Sequence, residues 1–239
     1  MPKIHYFALS ERGVNPVNGD AYCAEEIGGY HVFAVAGGAT GDEAGRKASE
    51  IAIACIRDAV QDAPAPPEAA LEKGLLEAEE RIRTEAVKQH LPGMGTDLSA
   101  CMVDRDLRAT TIDTGDGGIY VIDGSGIRTP RGAGPHGGDG DRIARCDEGS
   151  CPSSTVLSHV FGAPHILRQA DLSGFSLADG YLLLSSGGFY NYLTKSAIRE
   201  IVARNNGNLE AACQELVRKA IEAESGSTVT VLLVCGRGG

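Results

Sequence analysis

The sequence contains no tryptophan and only 5% aromatic residues. Surfaces that stack sugar rings or nucleic-acid bases are built from such side chains, so the composition argues against carbohydrate or single-stranded nucleic acid as ligand. No apolar run approaches the ~20 residues that a membrane-spanning helix needs. The opening MPKIHYFALS carries one lysine and no apolar core, so no secretory leader is expected. Positive charge is also short: 22 Lys and Arg face 32 Asp and Glu, a net charge of −10. A chain this acidic lacks the electrostatic footprint of a partner for nucleic acid or an anionic membrane. These absences point to a cytoplasmic protein, and 42% hydrophobic with 23% charged residues is a globular composition.

Glycine, by contrast, is abundant, at 32 of 239 residues, close to twice the average usage of about 7%. The seven cysteines are an odd number in a chain with no export signal, so reduced thiols are expected. Cys55 and Cys213 fall on apolar helical faces, and Cys101 and Cys235 fall in strand patterns. In such places cysteine acts as a small buried hydrophobe.

Hydrophobic periodicity gives the order of elements. Short strand-like runs cover His5–Ser10, Ala21–Ile27 and Tyr30–Ala36, the last two separated by Gly28-Gly29, a two-residue hairpin signal. A helix is expected from about Asp42 to Asp62, with Ala44, Ala48, Ile51, Cys55 and Ala59 on one face, and the PAPP stretch at 64–67 ends it. A second helix runs to about His90. Asp97–Asp104, Leu107–Thr114 and Gly118–Ile122 then read as an antiparallel meander. Residues 130–154, rich in Gly, Pro and Asp, read as a flexible loop. Strands follow near Ser154–Gly162 and Tyr181–Ser186, then helices at about Phe189–Asn205 and Leu209–Glu224, and a buried strand over Thr228–Cys235. Blocks of strands alternating with helix pairs argue for an α+β fold with antiparallel sheets, and the absence of a repeat or linker argues for one domain over 1–239.

Six strings stand in a fixed order: Asn18-Gly19-Asp20-Ala21; FAVAGGATGDEAGRKAS over Phe33–Ser49; Gly93-Met94-Gly95-Thr96-Asp97; TGDGGIY over Thr114–Tyr120; LLLSSGGF over Leu182–Phe189; and SGSTVTV over Ser225–Val231. Together they resemble the type 2C (PPM-type) family of metal-dependent serine/threonine protein phosphatases, over nearly the whole chain. The resemblance implies a four-layer αββα sandwich, two antiparallel β-sheets flanked by helix pairs. It also implies two Mg²⁺ or Mn²⁺ ions held by aspartates and waters, a bridging water as nucleophile, and an arginine that grips the phosphate.

The chain departs from that pattern where the chemistry is done. By the resemblance, the family's Glu-Asp pair is Gly19-Asp20, and the Asp of its Asp-Gly-Met-Gly-Gly string is Gly37, followed by Gly38. The Asp of its Ser-Asp-Gly string is Gly187, and the Asp before its final strand is Ser227. The phosphate-gripping arginine is expected at Asn15, with Arg12 three residues earlier. Asp116 matches an aspartate of an additional, weaker metal position and reads equally well as a turn residue. Two divalent ions ~3.5–4 Å apart need several carboxylates to offset their charge, and one family carboxylate, Asp20, remains beside Asp116 as a weak candidate.

Other patterns read as structure. Gly37–Gly41 could present backbone amides to a small anion beside Asn15 and Ser227, but lacks the phosphate-loop signature. Asp139-Gly-Asp141 lacks the glycine and glutamate of a calcium loop. Cys146 and Cys151, with His136 and His159, have no second tight pair for zinc. Two functional readings follow. The first is a phosphatase-like binding protein with no catalytic residues and no cofactor, a pseudophosphatase acting on a phosphoprotein, kinase or other signalling partner. The second is a divergent metal-dependent phosphatase whose Mg²⁺ or Mn²⁺ ligands have moved to residues such as Asp20, Asp42, Glu43, Asp116, Asp139 or Asp141.

Overall fold

Gly28 and Gly29 adopt φ of 60° and 86°. Two successive left-handed residues make the tight turn whose twist suits a hairpin. Strands β2 (Ala21–Ile27) and β3 (Tyr30–Ala36) accordingly pair antiparallel, with Ile27 opposite Tyr30. The computed structural model to which these strands belong describes residues 3–61, 66–91, 93–114, 118–130, 171–178, 180–190, 192–223 and 226–237. The expected strand at Ser154–Gly162, the loop from residue 131 onward, Asp116, Asp139, Asp141, Cys146, Cys151, His136 and His159 lie outside these residues.

The remaining strands are β1 (Lys3–Glu11), β4 (Ser99–Val103), β5 (Arg108–Asp113), β6 (Gly118–Asp123), β7 (Gly126–Arg128), β8 (Asp171–Ser176), β9 (Tyr181–Ser185) and β10 (Val229–Arg237). They form two five-stranded antiparallel sheets, in the orders β1-β10-β9-β6-β7 and β2-β3-β4-β5-β8. The helices are α1 (Glu43–Gln61), α2 (Pro67–Gln89), α3 (Gly187–Tyr190), α4 (Lys195–Arg204) and α5 (Leu209–Glu222). Among the described residues no helix is long and apolar enough to cross a membrane.

Three buried clusters define four layers. Val32, Ala34 and Ala36 of β3 pack with Ile56 of α1 and Leu71 and Leu75 of α2. Phe33 and Val35 turn the other way and meet Leu182, Leu184, Leu232 and Val234 of the second sheet. Val231 and Leu233 of β10 face Ile198, Leu216 and Val217 of α4 and α5. A strand covered on both faces takes apolar residues on both, which is why residues 231–235 show no alternation. Five described cysteines lie in these layers as free, buried thiols. Burial pushes the Cys23 and Cys213 thiols up to about 12 and Cys55 to about 11, so none of the three is a nucleophile at neutral pH.

Two expectations need correction, and strand β7 was not expected. The meander stops after β4 and β5, because β6 crosses to the other sheet and pairs with β9 and β7. Its run Gly118–Ile122 is buried throughout, which suits a place inside a sheet covered on both faces. The helix expected over Phe189–Asn205 is divided, because the Thr194 hydroxyl accepts from Ala197 N and starts α4 afresh. The short strand β7 carries too few residues to show a period.

One buried group makes stability depend on pH. The Glu79 Oε2 atom on α2 is buried with no hydrogen-bond partner. Desolvation lifts its carboxyl to about 7 against the attraction of Arg83. The folded state therefore holds a proton that the unfolded chain releases near 4.5, and stability falls as pH rises from there through 7. Discounted for partial exposure, wild type loses about 1 kcal/mol more than Glu79→Gln between pH 5 and pH 8. Urea midpoints of both proteins at the two pH values measure this, and identical pH slopes would contradict it.

Candidate functional site

The apolar layer between the sheets gives way at one end to polar side chains. In β3 and β4 the inward positions Phe33, Val35, Cys101 and Val103 continue, two residues at a time, to Gly37, Ser99 and Asp97. Asp113 lies opposite Ser99 on β5, and Asp20 precedes β2 at the same end. From the facing sheet come Ser10, Ser186, Thr228 and Thr230, extending the inward rows of β1, β9 and β10.

Asp20 is tied to the facing sheet. Thr230 Oγ1 donates to Asp20 Oδ2 at 2.6 Å, and Thr230 N donates to Ser186 Oγ at 3.0 Å. With its proton committed to Asp20, the Thr230 hydroxyl accepts from Ser10 at 2.7 Å, and Ser10 in turn accepts from Asn18 Nδ2 at 2.8 Å. Asn18 Oδ1 closes the ring by accepting from Asp20 N at 3.0 Å. Burial holds the Asp20 carboxyl above the ordinary carboxylate range, against hydrogen bonds from Thr230, Ser186 and the Gly38 amide.

The other positions are engaged as well. Asn15 Nδ2 and Gly19 N both donate to Thr228 Oγ1, at 3.3 and 3.4 Å. The Asn15 carboxamide also lies against Gly41, where an added Cβ would stand 2.6 Å from Oδ1. Arg12 donates instead to Pro16 O on the exposed loop. The Gly37 amide donates to Asp97 Oδ1 at 2.6 Å, and Ala39 N to Gly95 O at 2.9 Å, so these two amides of the expected anion nest are taken. Gly38 pairs with Thr96 in an isolated bridge. Asp42 Oδ1 accepts from Thr40 Oγ1 and from the amides of Ala44 and Gly45 at the start of α1, which pulls its carboxyl below the usual range. Glu43 pairs with Arg46 on the surface. Gly187 opens α3, and Ser227 is exposed ahead of β10.

The described residues do not fit a pair of metal ions. Among the described residues no three His, Cys, Asp or Glu side chains gather into a group that could hold one. Asp20 has its Oδ2 committed to Thr230, and positions 19, 37, 187 and 227 supply no carboxylate. The sequence reading missed Asp97, Asp113 and Thr230, all buried at the cleft. Counting the two-residue period outward from Phe33 and Cys101 finds Asp97 without a structure.

Residues 10–131 match the family model described as protein phosphatase 2C. Comparison with curated protein sequences gave no match. Among solved structures, the chain resembles PppA, described as a key regulatory component of the T6SS in Pseudomonas aeruginosa. The two share 22% identity, with 98% of this chain and 97% of that one covered and a TM-score of 0.76. The serine/threonine phosphatase PstP/Ppp of Mycobacterium tuberculosis is 20% identical over 97% of this chain and 98% of its own, with a TM-score of 0.76. The catalytic domain of PstP in complex with two manganese ions is 22% identical over 100% of both chains, with a TM-score of 0.75. At these identities the structures speak for the fold, and the family match covers just over half the chain: this protein belongs to the protein phosphatase 2C family.

Proposed function

We propose that this chain is a pseudophosphatase: a single phosphatase-like domain that works in the cytoplasm by binding a regulatory protein rather than by hydrolysing phosphate. The observation that carries the reading is Asp20. It is the one carboxylate left at the family's five principal carboxylate positions named above, and its Oδ2 is bound to Thr230 of the facing sheet. The gripping arginine is Asn15, whose amide is spent on Thr228. Gly19, Gly37, Gly38, Gly187 and Ser227 complete the vestigial cleft and bring no side-chain charge to it. A phosphoprotein, a kinase or another signalling protein is the partner class proposed, since the similar structures are serine/threonine phosphatases and one is described as regulatory. The charge of −10 argues against nucleic acid and anionic membrane as partners.

A second reading is favoured by one observation. Asp97 and Asp113 place two buried carboxylates at the same end of the sandwich, as moved ligands would. Calorimetric titration of chelator-treated protein with Mn²⁺ and Mg²⁺, with p-nitrophenyl phosphate hydrolysis measured on the same sample, separates the two. The binding module gives no heat and no turnover at millimolar metal. Two-site binding with metal-dependent turnover that disappears in Asp20→Ala would overturn it in favour of a divergent phosphatase.

A further inference from the structure

The β3–β4 register continues past the ends of both strands. Val35 stands opposite Ser99, and the isolated bridge of Gly38 with Thr96 keeps the same offset, so Gly37 faces Asp97. The two residues are joined twice, and Thr96 adds a third bond to Gly37. Asp97 N donates to Gly37 O at 3.1 Å, Gly37 N donates to Asp97 Oδ1 at 2.6 Å, and the Thr96 hydroxyl donates to Gly37 O at 2.9 Å. A Cβ built on Gly37 would lie 2.7 Å from Asp97 Oδ1 and 3.4 Å from both Cγ and Oδ2. The carboxylate of residue 97 thus fills the direction in which any side chain at 37 would leave the backbone.

We infer that positions 37 and 97 form an exclusive pair: this end of the cleft accommodates one side chain at the two sites, and Asp97, by occupying the space, bars a ligand from position 37. The inference rests on the binding-module reading, and it makes the loss of the metal site self-sustaining. Restoring a carboxylate at 37 alone would set it against a buried carboxylate of the same charge that cannot swing away without leaving the Gly37 amide unbonded. Asp97 is a positioning residue in this arrangement, acting on the cleft through the Gly37 backbone.

The test is a stability cycle in the full chain with chelator present, comparing wild type, Gly37→Ala, Asp97→Ser and the double variant. Serine keeps an oxygen for the Gly37 amide while withdrawing the carboxylate. Gly37→Ala lowers the unfolding midpoint by about 5 °C in the wild-type background and by about 1 °C or less beside Asp97→Ser. Equal shifts in both backgrounds overturn the inference. Should Gly37→Ala yield no folded protein, the double variant decides: folded, it supports the pair, and unfolded, it overturns it. The outcome is independent of catalysis. Metal-dependent turnover by the unaltered protein would remove the binding-module reading and leave the measured coupling between 37 and 97 standing.

Discussion

Thr230→Val lowers the midpoint of thermal unfolding by about 6–12 °C, from a loss of about 3 kcal/mol. Valine has the shape of threonine, so the packing of a fully buried position in β10 is kept and the effect isolates the hydroxyl. That hydroxyl bonds both Asp20 Oδ2 and Ser10 Oγ, at 2.6 and 2.7 Å. Its removal takes the Thr230 bond from the desolvated Asp20 carboxyl, which keeps only Ser186 and the Gly38 amide, and breaks the relay from Asn18 through Ser10, so the polar cross-link between the two sheets is weakened here. A buried acceptor left without its donor costs more than the bond contributed, because water cannot replace it. Asp20→Asn keeps an oxygen for Thr230 and discards only the charge that burial already opposes, so its cost is about 1 kcal/mol. Thermal and urea unfolding of both variants check the order. Asp20→Asn proving the more damaging would mean that the carboxylate charge, and not the Thr230 bond, is what the site uses.

That ranking depends on residues the sequence presents unevenly. Strand β2 and strand β3 are legible because their Gly-Gly turn has one solution, and α1 and α2 because their apolar residues recur at helical spacing and a Pro-rich stretch parts them. The move of β6 to the second sheet is not legible. Its run is apolar on both faces, which says that it is covered twice and leaves open which strands flank it. The break at Thr194 is a capping choice among several polar residues, decided by which hydroxyl reaches a free amide. In the cleft, the missing carboxylates at 37, 187 and 227 are visible by comparison with the family strings. What replaces them is visible only in space. Asp97 and Gly37 are sixty residues apart in the chain and are joined by a ladder register. Thr230 lies in an apolar run where threonine reads as a strand former, and its bond to Asp20 spans 210 positions.

Gly188→Ala is the more severe change, expected to cost at least about 4 kcal/mol and to leave little folded protein at 37 °C. The glycine sits in α3, just after β9, and the sandwich brings the start of β10 against it. A Cβ at 188 would fall 1.9 Å from the Thr228 carbonyl oxygen, 2.9 Å from its carbon and 3.3 Å from the Ser227 Cβ. The obstacle is backbone, and it lies one residue from β10, whose nine residues pair with β1 along their whole length and with β9 over five positions. Thr228 cannot retreat without drawing Thr230 away from Asp20 and Ser186, so the methyl group would disrupt the cross-link as well as the local contact. Gly124→Ala supplies the control. Nothing lies within 4 Å of its Cβ, so alanine there is neutral, or stabilising by a few tenths of a kcal/mol through the unfolded chain. Soluble yield and urea midpoints of the two variants give the comparison. A Gly188→Ala protein as stable as Gly124→Ala would mean that α3 and the start of β10 stand further apart than described, and that the vestigial cleft is open where the structure closes it.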